Sequence, residues 1–272
     1  MPDQREPWAL ILGASSGFGK ATALALAADG YHVAGVHLDR RQAQPHLDEI
    51  RSRVEGSGRE VLLFNINAAD DAQRAEALET LRARFETSRA AGRDPYVRVL
   101  LHSLAFGTLK PFLGPDAAGS ISRRNMEMTL DVMAHSLVYW AQDLWRGGFL
   151  GDGSKVYAMT SEGSTRVVAS YGAVSAAKTA LESHCRQLAM EFARLGSGVT
   201  VNAIRAGVTM TPALMQIPER EKLIDYAMMR NPNRRMTTPD DVAGAVVTLS
   251  RGGTHWMTGN VIGVDGGELV AG

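Results

Sequence analysis

Apolar strand-like runs alternate with helical patterns along the whole 272-residue chain. No linker or compositional break divides it, and a glycine-rich turn joins the first apolar run to the first helical pattern. This alternation predicts an α/β fold, a doubly wound (Rossmann-type) parallel sheet with helices on both faces, because each parallel strand needs a helical crossover to return to the same edge. The length suits one domain spanning residues 1–272.

The elements follow in chain order. Residues 8–12 form a continuous apolar run and read as a first buried strand; 19–28, rich in alanine and leucine, read as a helix. Residues 31–38 read as the second strand and 46–54 as the second helix. Residues 61–66 read as a third strand, followed by helical composition over 72–88. A fourth strand is expected at 97–104, a long helix at 126–144, a fifth strand at 155–160 and another long helix at 175–195. Residues 199–204, 239–250 and 261–264 complete the pattern as strand, helix and strand. Two loops stand out. Residues 107–120 are rich in glycine and proline, and 208–232 carry Met210, Leu214, Met215, Ile217, Met228 and Met229. These side chains suit either the packing of a short helix pair or a flexible apolar lid over a greasy substrate, since methionine adapts to irregular surfaces.

Composition narrows the function. Lysine plus arginine equals aspartate plus glutamate, 29 each, so no net charge draws the chain to nucleic acid or an anionic membrane. The single cysteine, Cys185, cannot form an intramolecular disulfide and reads as a buried thiol; no metal-ligand cluster is expected. The five apolar residues before Gly13 are too few for a membrane span or signal core, which points to a cytoplasmic enzyme.

The stretch "GASSGFG", Gly13–Gly19, follows the first strand and opens the first helix. Glycines there permit a tight turn and close approach of backbone to a pyrophosphate, and the helix start offers unpaired N–H groups. The spacing is G-x-x-x-G-x-G and not the commoner G-x-G-x-x-G, and in this strand–turn–helix setting it predicts nucleotide binding. After the second strand stands "HLDRRQ". An acid such as Asp39 suits a ribose 2′-hydroxyl, whereas Arg40 and Arg41 suit a 2′-phosphate. The arginines tip the expectation to NADPH over NADH.

The glycine spacing, "FNIN" at the third strand's end, "VNAIRAG" and "VDGG" together resemble the short-chain dehydrogenase/reductase family along nearly the whole chain. The resemblance implies that Gly13, Ser15, Ser16, Gly17, Phe18, Gly19, Asp39, Arg40, Arg41, Asn65, Ile66, Ser103, Leu104, Ala105, Lys178, Gly207, Val208 and Thr211 hold the cofactor, with Asn65 and Ile66 at the adenine. Thr211 also suits a helix N-cap before Pro212.

In "YGAVSAAK", Tyr171 and Lys178 lie seven residues apart, nearly two helical turns, so they can face one pocket. A lysine near a tyrosine can lower the phenol's pKa. Many members of the family carry Tyr-x-x-x-Lys with a serine thirteen residues earlier; here the tyrosine position is Val174, while Ser161 is present. Tyr-x6-Lys and "LHSLAFG" resemble the enoyl-acyl-carrier-protein reductase branch, with Ala105 in place of a glycine and Met133 in place of the family's helix asparagine. Val208 stands where a proline is usual. The resemblance implies reduction of the 2,3-double bond of enoyl thioesters on acyl carrier protein or coenzyme A. Tyr171, aided by Ser161, would face the thioester oxygen, and Lys178 the nicotinamide ribose. Phe106, Ser161, Tyr171, Met210, Leu214 and Met215 would line the substrate site. It also implies a homotetramer. Arg220, Lys222, Arg230, Arg234 and Arg235 could meet an acidic carrier protein, or be ordinary solvated charges. His102 reads as a structural hydrogen-bonder, and His135 and His184 as surface or packing residues. Two alternatives stand beside this reading: a carbonyl/alcohol oxidoreductase of ketoacyl or hydroxysteroid type, which Val174 argues against, and a non-catalytic nucleotide-binding protein on the same fold.

Overall fold

The computed structural model describes residues 5–40 and 43–271. Its seven strands are β1 (Arg5–Leu12), β2 (His32–His37), β3 (Val61–Asn65), β4 (Asp94–His102), β5 (Lys155–Thr160), β6 (Thr200–Ala206) and β7 (Val261–Val264). They pair in parallel in the order β3-β2-β1-β4-β5-β6-β7. The winding reverses between β1 and β4, so the loops leaving these two strands diverge and open a crevice at their carboxyl ends.

The helices are α1 (Gly17–Ala28), α2 (Gln44–Gly56), α3 (Asp71–Ala90), α4 (Arg123–Leu130), α5 (Ser136–Arg146), α6 (Gly172–Arg194), α7 (Arg220–Arg230) and α8 (Pro239–Ser250). Strand β1 shows why both faces are covered. Trp8, Leu10 and Leu12 point into a core shared with Phe85 of α3, Trp140 of α5 and Leu181 of α6. Ala9 and Ile11 point the other way, into a core shared with Leu26 of α1, Ile50 of α2 and Val246 of α8. Alternate residues of a strand face opposite sides, so a run apolar at every position is stable only between two helical layers. Each large apolar side chain so buried contributes about 1.5–3 kcal/mol. Side-chain caps start several helices: Asp70 accepts from Gln73 N, Ser122 from Asn125 N, and Thr238 forms a reciprocal box with Asp241.

Three expectations change. The fourth strand runs from 94 to 102, earlier than 97–104. The helix expected at 126–144 is a longer rod interrupted by a π turn at Asp131–His135. There Ser136 Oγ donates to the Val132 carbonyl at 2.8 Å and meets His102 Nε2 at 2.9 Å, a local pull that periodicity does not reveal. Part of the 208–232 loop is helical, as α7 and a short 3-10 turn at Leu214–Gln216. No helix among the described residues is long and apolar enough to cross a membrane, and no group of three metal-ligating side chains occurs among them.

Candidate active site

Strand β1 ends at Leu12 and the chain turns at once. Gly13 adopts φ +90°, and its N–H, with that of Ala14, donates to the Val36 carbonyl at 2.8 and 3.0 Å. A Cβ on Gly13 would lie 2.4 Å from Ser103 O, and one on Gly19 2.0 Å from Gly13 O. No L side chain fits either place. Ser15 is half-buried and Ser16 exposed; Ser16 precedes α1 without capping it, so the amides of Gly17, Phe18 and Gly19 face outward unpaired. This concave backbone surface at a helix N-terminus fits a pyrophosphate. The Thr211 methyl lies 3.5 Å from where a Gly17 Cβ would stand, which brings the segment after β6, starting at Gly207 and Val208, to the rim of the cradle. Thr211 Oγ1 also accepts from Leu214 N at 3.3 Å, although the cap of the 3-10 turn that follows is Ala213 and not the expected Thr211.

At the ribose end, Asp39 sits in a built corner. His37, buried at the end of β2, donates from Nδ1 to Asp39 Oδ2 at 3.0 Å. Asn65 clamps the backbone of Asp39 through two bonds of 3.0 Å, and Ile66 N donates to His37 O at 2.8 Å. Asn65 and Ile66 thus hold the turn that carries Asp39. Burial keeps the His37 pKa below its usual value even beside that carboxylate. Arg40 is exposed; Arg41 lies outside the described residues.

At the chemical end, Ser103 N donates to Leu12 O at 2.8 Å, which ties the exit of β4 to the cradle. Lys178, on α6, is buried and donates to the carbonyls of Met159 at 2.7 Å and Leu104 at 3.3 Å. Burial pulls its pKa down to about 8, against the opposing pull of Cys185 and Glu182. Two of the ammonium's three donors are used, leaving one for a ligand. Tyr171 is the residue before α6, and its ring lies beside Ser161. Both side chains lie over Gly163, whose Cβ would stand 2.7 Å from Tyr171 Cε1 and 3.1 Å from Ser161 Oγ. Ser161 Oγ also accepts from Gly163 N at 3.0 Å.

The tyrosine's pKa departs from expectation. Burial raises it above the usual phenol value, and Ser161 opposes this only in part. The lysine reaches backbone carbonyls and leaves the phenol to the serine. Tyr171 is therefore a protonated donor at neutral pH. Val174 and Met133 are buried and pack beneath Gly107, so neither can exchange a proton at the positions where Tyr-x-x-x-Lys and the helix asparagine would act.

The walls come from the two loops. Phe112 covers the start of α6, its ring occupying the space 2.5 Å from a Gly172 Cβ. Ala105, Phe106, Met210 and Met215 are exposed at the mouth, whereas Leu214 is buried and packs inward. One residue not singled out in the sequence, Glu162, and one expected to play another part, Arg230, fasten the 208–232 segment. Glu162, next to Ser161, accepts from Arg230 Nη1 at 3.0 Å, and Arg230 also reaches the carbonyls of Leu269 and Ala271. Their signal in the sequence is nil, since the partners are 68 residues apart. The arginine is buried and is no docking charge; Arg235 is paired to Asp241, Lys222 to Glu219, and Arg220 to Glu221.

His102 is fully buried with its pKa pushed down to about 3 by burial, and serves Ser136 as a neutral hydrogen-bonder. His135 and His184 contact each other at 3.0 Å. Burial pushes the Cys185 thiol up to about 12, far from a thiolate.

Comparison with known proteins places these features in a family setting. Residues 13–268 match the family model described as enoyl-(acyl carrier protein) reductase. The chain is 32% identical over 167 residues to an enoyl-acyl-carrier-protein reductase (NADH) FabI of Buchnera aphidicola, a match covering 61% of this chain and 62% of that protein. It is 26% identical over 264 residues to a 3-oxoacyl-acyl-carrier-protein reductase FabG of Thermotoga maritima, covering 96% and 97% of the two chains. The crystal structure of an enoyl-acyl-carrier-protein reductase (NADH) from Aquifex aeolicus superposes with TM-score 0.81 at 24% identity, covering 98% of this chain and 97% of that one; at that identity the likeness is one of fold.

Proposed function

The chain belongs to the enoyl-(acyl carrier protein) reductase family of short-chain dehydrogenase/reductases, and we propose that it is an NAD(P)H-dependent oxidoreductase that reduces the 2,3-double bond of enoyl thioesters in fatty-acid or polyketide synthesis. The observation that carries this reading is that Tyr171 and Ser161 lie together over Gly163 at the start of α6, while Val174 fills the usual tyrosine position as a buried hydrocarbon. In a carbonyl reduction the proton donor must stand beside the carbon that receives hydride. In a conjugate reduction the charge develops on an oxygen two atoms further away. A tyrosine set back by three residues suits the second geometry.

When bound, the nicotinamide cofactor supplies hydride to the thioester β-carbon. The residues of this chain do the rest. The backbone cradle of 13–19 holds the pyrophosphate. The free Nζ–H of Lys178 bonds the nicotinamide ribose, and its charge favours an enolate nearby. Tyr171, kept protonated by burial, donates to the thioester oxygen as charge accumulates there. Ser161 fixes the direction of that phenol. The apolar mouth of Phe106, Met210 and Met215 excludes water from the acyl chain. The proton for the α-carbon comes from solvent or a relay.

For the cofactor we propose NADPH, since the Asp39 carboxylate is already engaged by His37 and Arg40 is exposed beside it. We also propose a homotetramer acting in the cytoplasm on substrates delivered by acyl carrier protein or coenzyme A. The test mixes purified protein with NADPH or NADH and crotonyl- or longer enoyl-thioesters and follows loss of reduced-nicotinamide absorbance. Oxidation with acetoacetyl-thioester and none with enoyl-thioester sinks the proposal. Tyr171→Phe is expected to lower kcat about 10²-fold or more, the cost of one oxyanion donor.

A further inference from the structure

The segment after β6 must leave the sheet and reach the cradle, and its first amide has no strand to pair with. The last bond to β7 is Gly207 N to Val264 O at 3.1 Å, and the chain pairs again only at the isolated parallel bridge Thr209–Thr237. The next amide, Val208 N, donates to the carboxylate of Glu268, at 3.2 Å to Oε2 and 3.4 Å to Oε1. Glu268 is 2% exposed. Its carboxylate presses on the backbone of Gly207, where a Cβ would stand 2.8 Å from Oε2 and 2.5 Å from Thr237 Oγ1.

This is a costly way to quiet one amide. A buried carboxylate loses several kcal/mol of hydration, and a single N–H donor does not replace it. Burial raises the Glu268 pKa; the Val208 N–H opposes this most, Glu162 and Asp265 add to the rise, and Arg230 opposes it weakly. Arg230 directs its hydrogen bonds to Glu162 and to the Leu269 and Ala271 carbonyls. A proline at 208, as the family resemblance leads one to expect, would have no amide to satisfy and would need no acid. Glu268 is also rigidly mounted: Asn231 Nδ2 donates to Asp265 O at 3.0 Å, Asn233 Nδ2 to Gly266 O at 2.9 Å, and Gly267 N to Asp265 Oδ1 at 3.0 Å.

We infer that Glu268 is a positioning residue for the cofactor: through the Val208 N–H its carboxylate sets the path of residues 207–211, in place of a proline, and so presents Thr211 to the cradle at Gly17. The inference rests on the reading that 207–211 borders a nicotinamide cofactor, and it requires no particular substrate.

The experiment is a double-mutant cycle read as cofactor affinity, with no thioester present. Dissociation constants for NADPH and NADH are measured by nicotinamide fluorescence for the wild type, Glu268→Ala, Glu268→Gln, Val208→Pro and the double variant Val208→Pro/Glu268→Ala, each with its melting temperature. Glu268→Ala is expected to weaken binding about tenfold, the loss of a charge-assisted hydrogen bond. Glu268→Gln, which keeps an acceptor, recovers most of it. With proline at 208, removing the acid changes affinity less than twofold. The inference is overturned if Glu268→Ala weakens binding equally in both backgrounds, if it lowers the melting temperature while affinity holds, or if the wild type binds neither cofactor. Because affinity is read alone, a wild type that binds NADPH but ignores enoyl thioesters ends the enoyl-reductase reading and leaves this result standing. If Glu268→Ala does not fold, an unchanged affinity in Glu268→Gln together with a tenfold loss in Val208→Pro that the double variant does not relieve also overturns it.

Discussion

At the phosphate cradle the ligand-facing groups are backbone, set by residues within seven positions of one another. Around 208–232 the side chains are held by partners from distant parts of the chain. Gly13 and Gly19 leave no room for a methyl group, and nothing there can adjust. Around 208–232 the apolar side chains Met210, Met215 and Met229 are exposed, and α7 is fastened through Arg230 to Glu162 and to the C-terminal carbonyls. The cradle is close-packed, with its turn bonded to the Val36 carbonyl and pressed against Ser103 O. The 208–232 segment, in contrast, is held by a few side-chain bonds from Arg230. A backbone turn shaped for a pyrophosphate thus sits beside a segment with exposed apolar side chains.

Breaking the close-packed side has the largest expected effect. Gly19→Ala places a Cβ against Gly13 O and forces the turn open; we expect cofactor affinity to fall about 100-fold or more in a fluorescence titration, with far-UV circular dichroism unchanged. Retained affinity would show that the cradle is softer than its packing indicates. Breaking the 208–232 side costs less. Arg230→Leu removes the lid's tether but leaves Glu162 paired to Arg166. We expect a several-fold rise in KM for the acyl substrate with cofactor affinity nearly unchanged, and a stability loss of about 1–2 kcal/mol, or roughly 4 °C in Tm. Equal losses in both affinities would mean that lid and cradle are one unit.

The smallest effect sharpens the junction between them. Burial pulls the Lys178 pKa down to about 8 in the folded protein, against 10.5 for an ordinary lysine. Between these values the unfolded chain binds more protons, so this group makes unfolding free energy rise as pH increases from about 8 to 10.5. Below 8 both states are protonated and the burial cost is fully present. Against a Lys178→Met control, wild-type stability should therefore gain on the control across that window, while cofactor affinity falls above about pH 8 as the ammonium is lost. A flat difference would place Lys178 in contact with solvent.

Much of this was legible in the residues. The unbroken apolar run of β1 required helices on two faces, and the glycines of 13–19 required the cradle; both are local patterns with local physics. The π turn was not legible, because it arises where Ser136 meets His102 across 34 residues. The spacing of Tyr171 and Lys178 put them on one side of α6 but left open which group each would meet. The fold sent the lysine to carbonyls of two strand ends and left the phenol to Ser161.

The chain by itself determined the alternation of strands and helices, the place of the phosphate turn and the displacement of the tyrosine, because each depends on the order and kind of neighbouring residues. Tertiary structure alone decided that His37 holds Asp39 inward, that Arg230 is a buried tether and no docking charge, and that Glu268 meets the Val208 amide. Those pairings join segments up to 68 residues apart, or turn on burial. Hydrogen bonds across such separations leave no periodic or compositional trace in the sequence, and they form only when the sheet has brought its strand ends together.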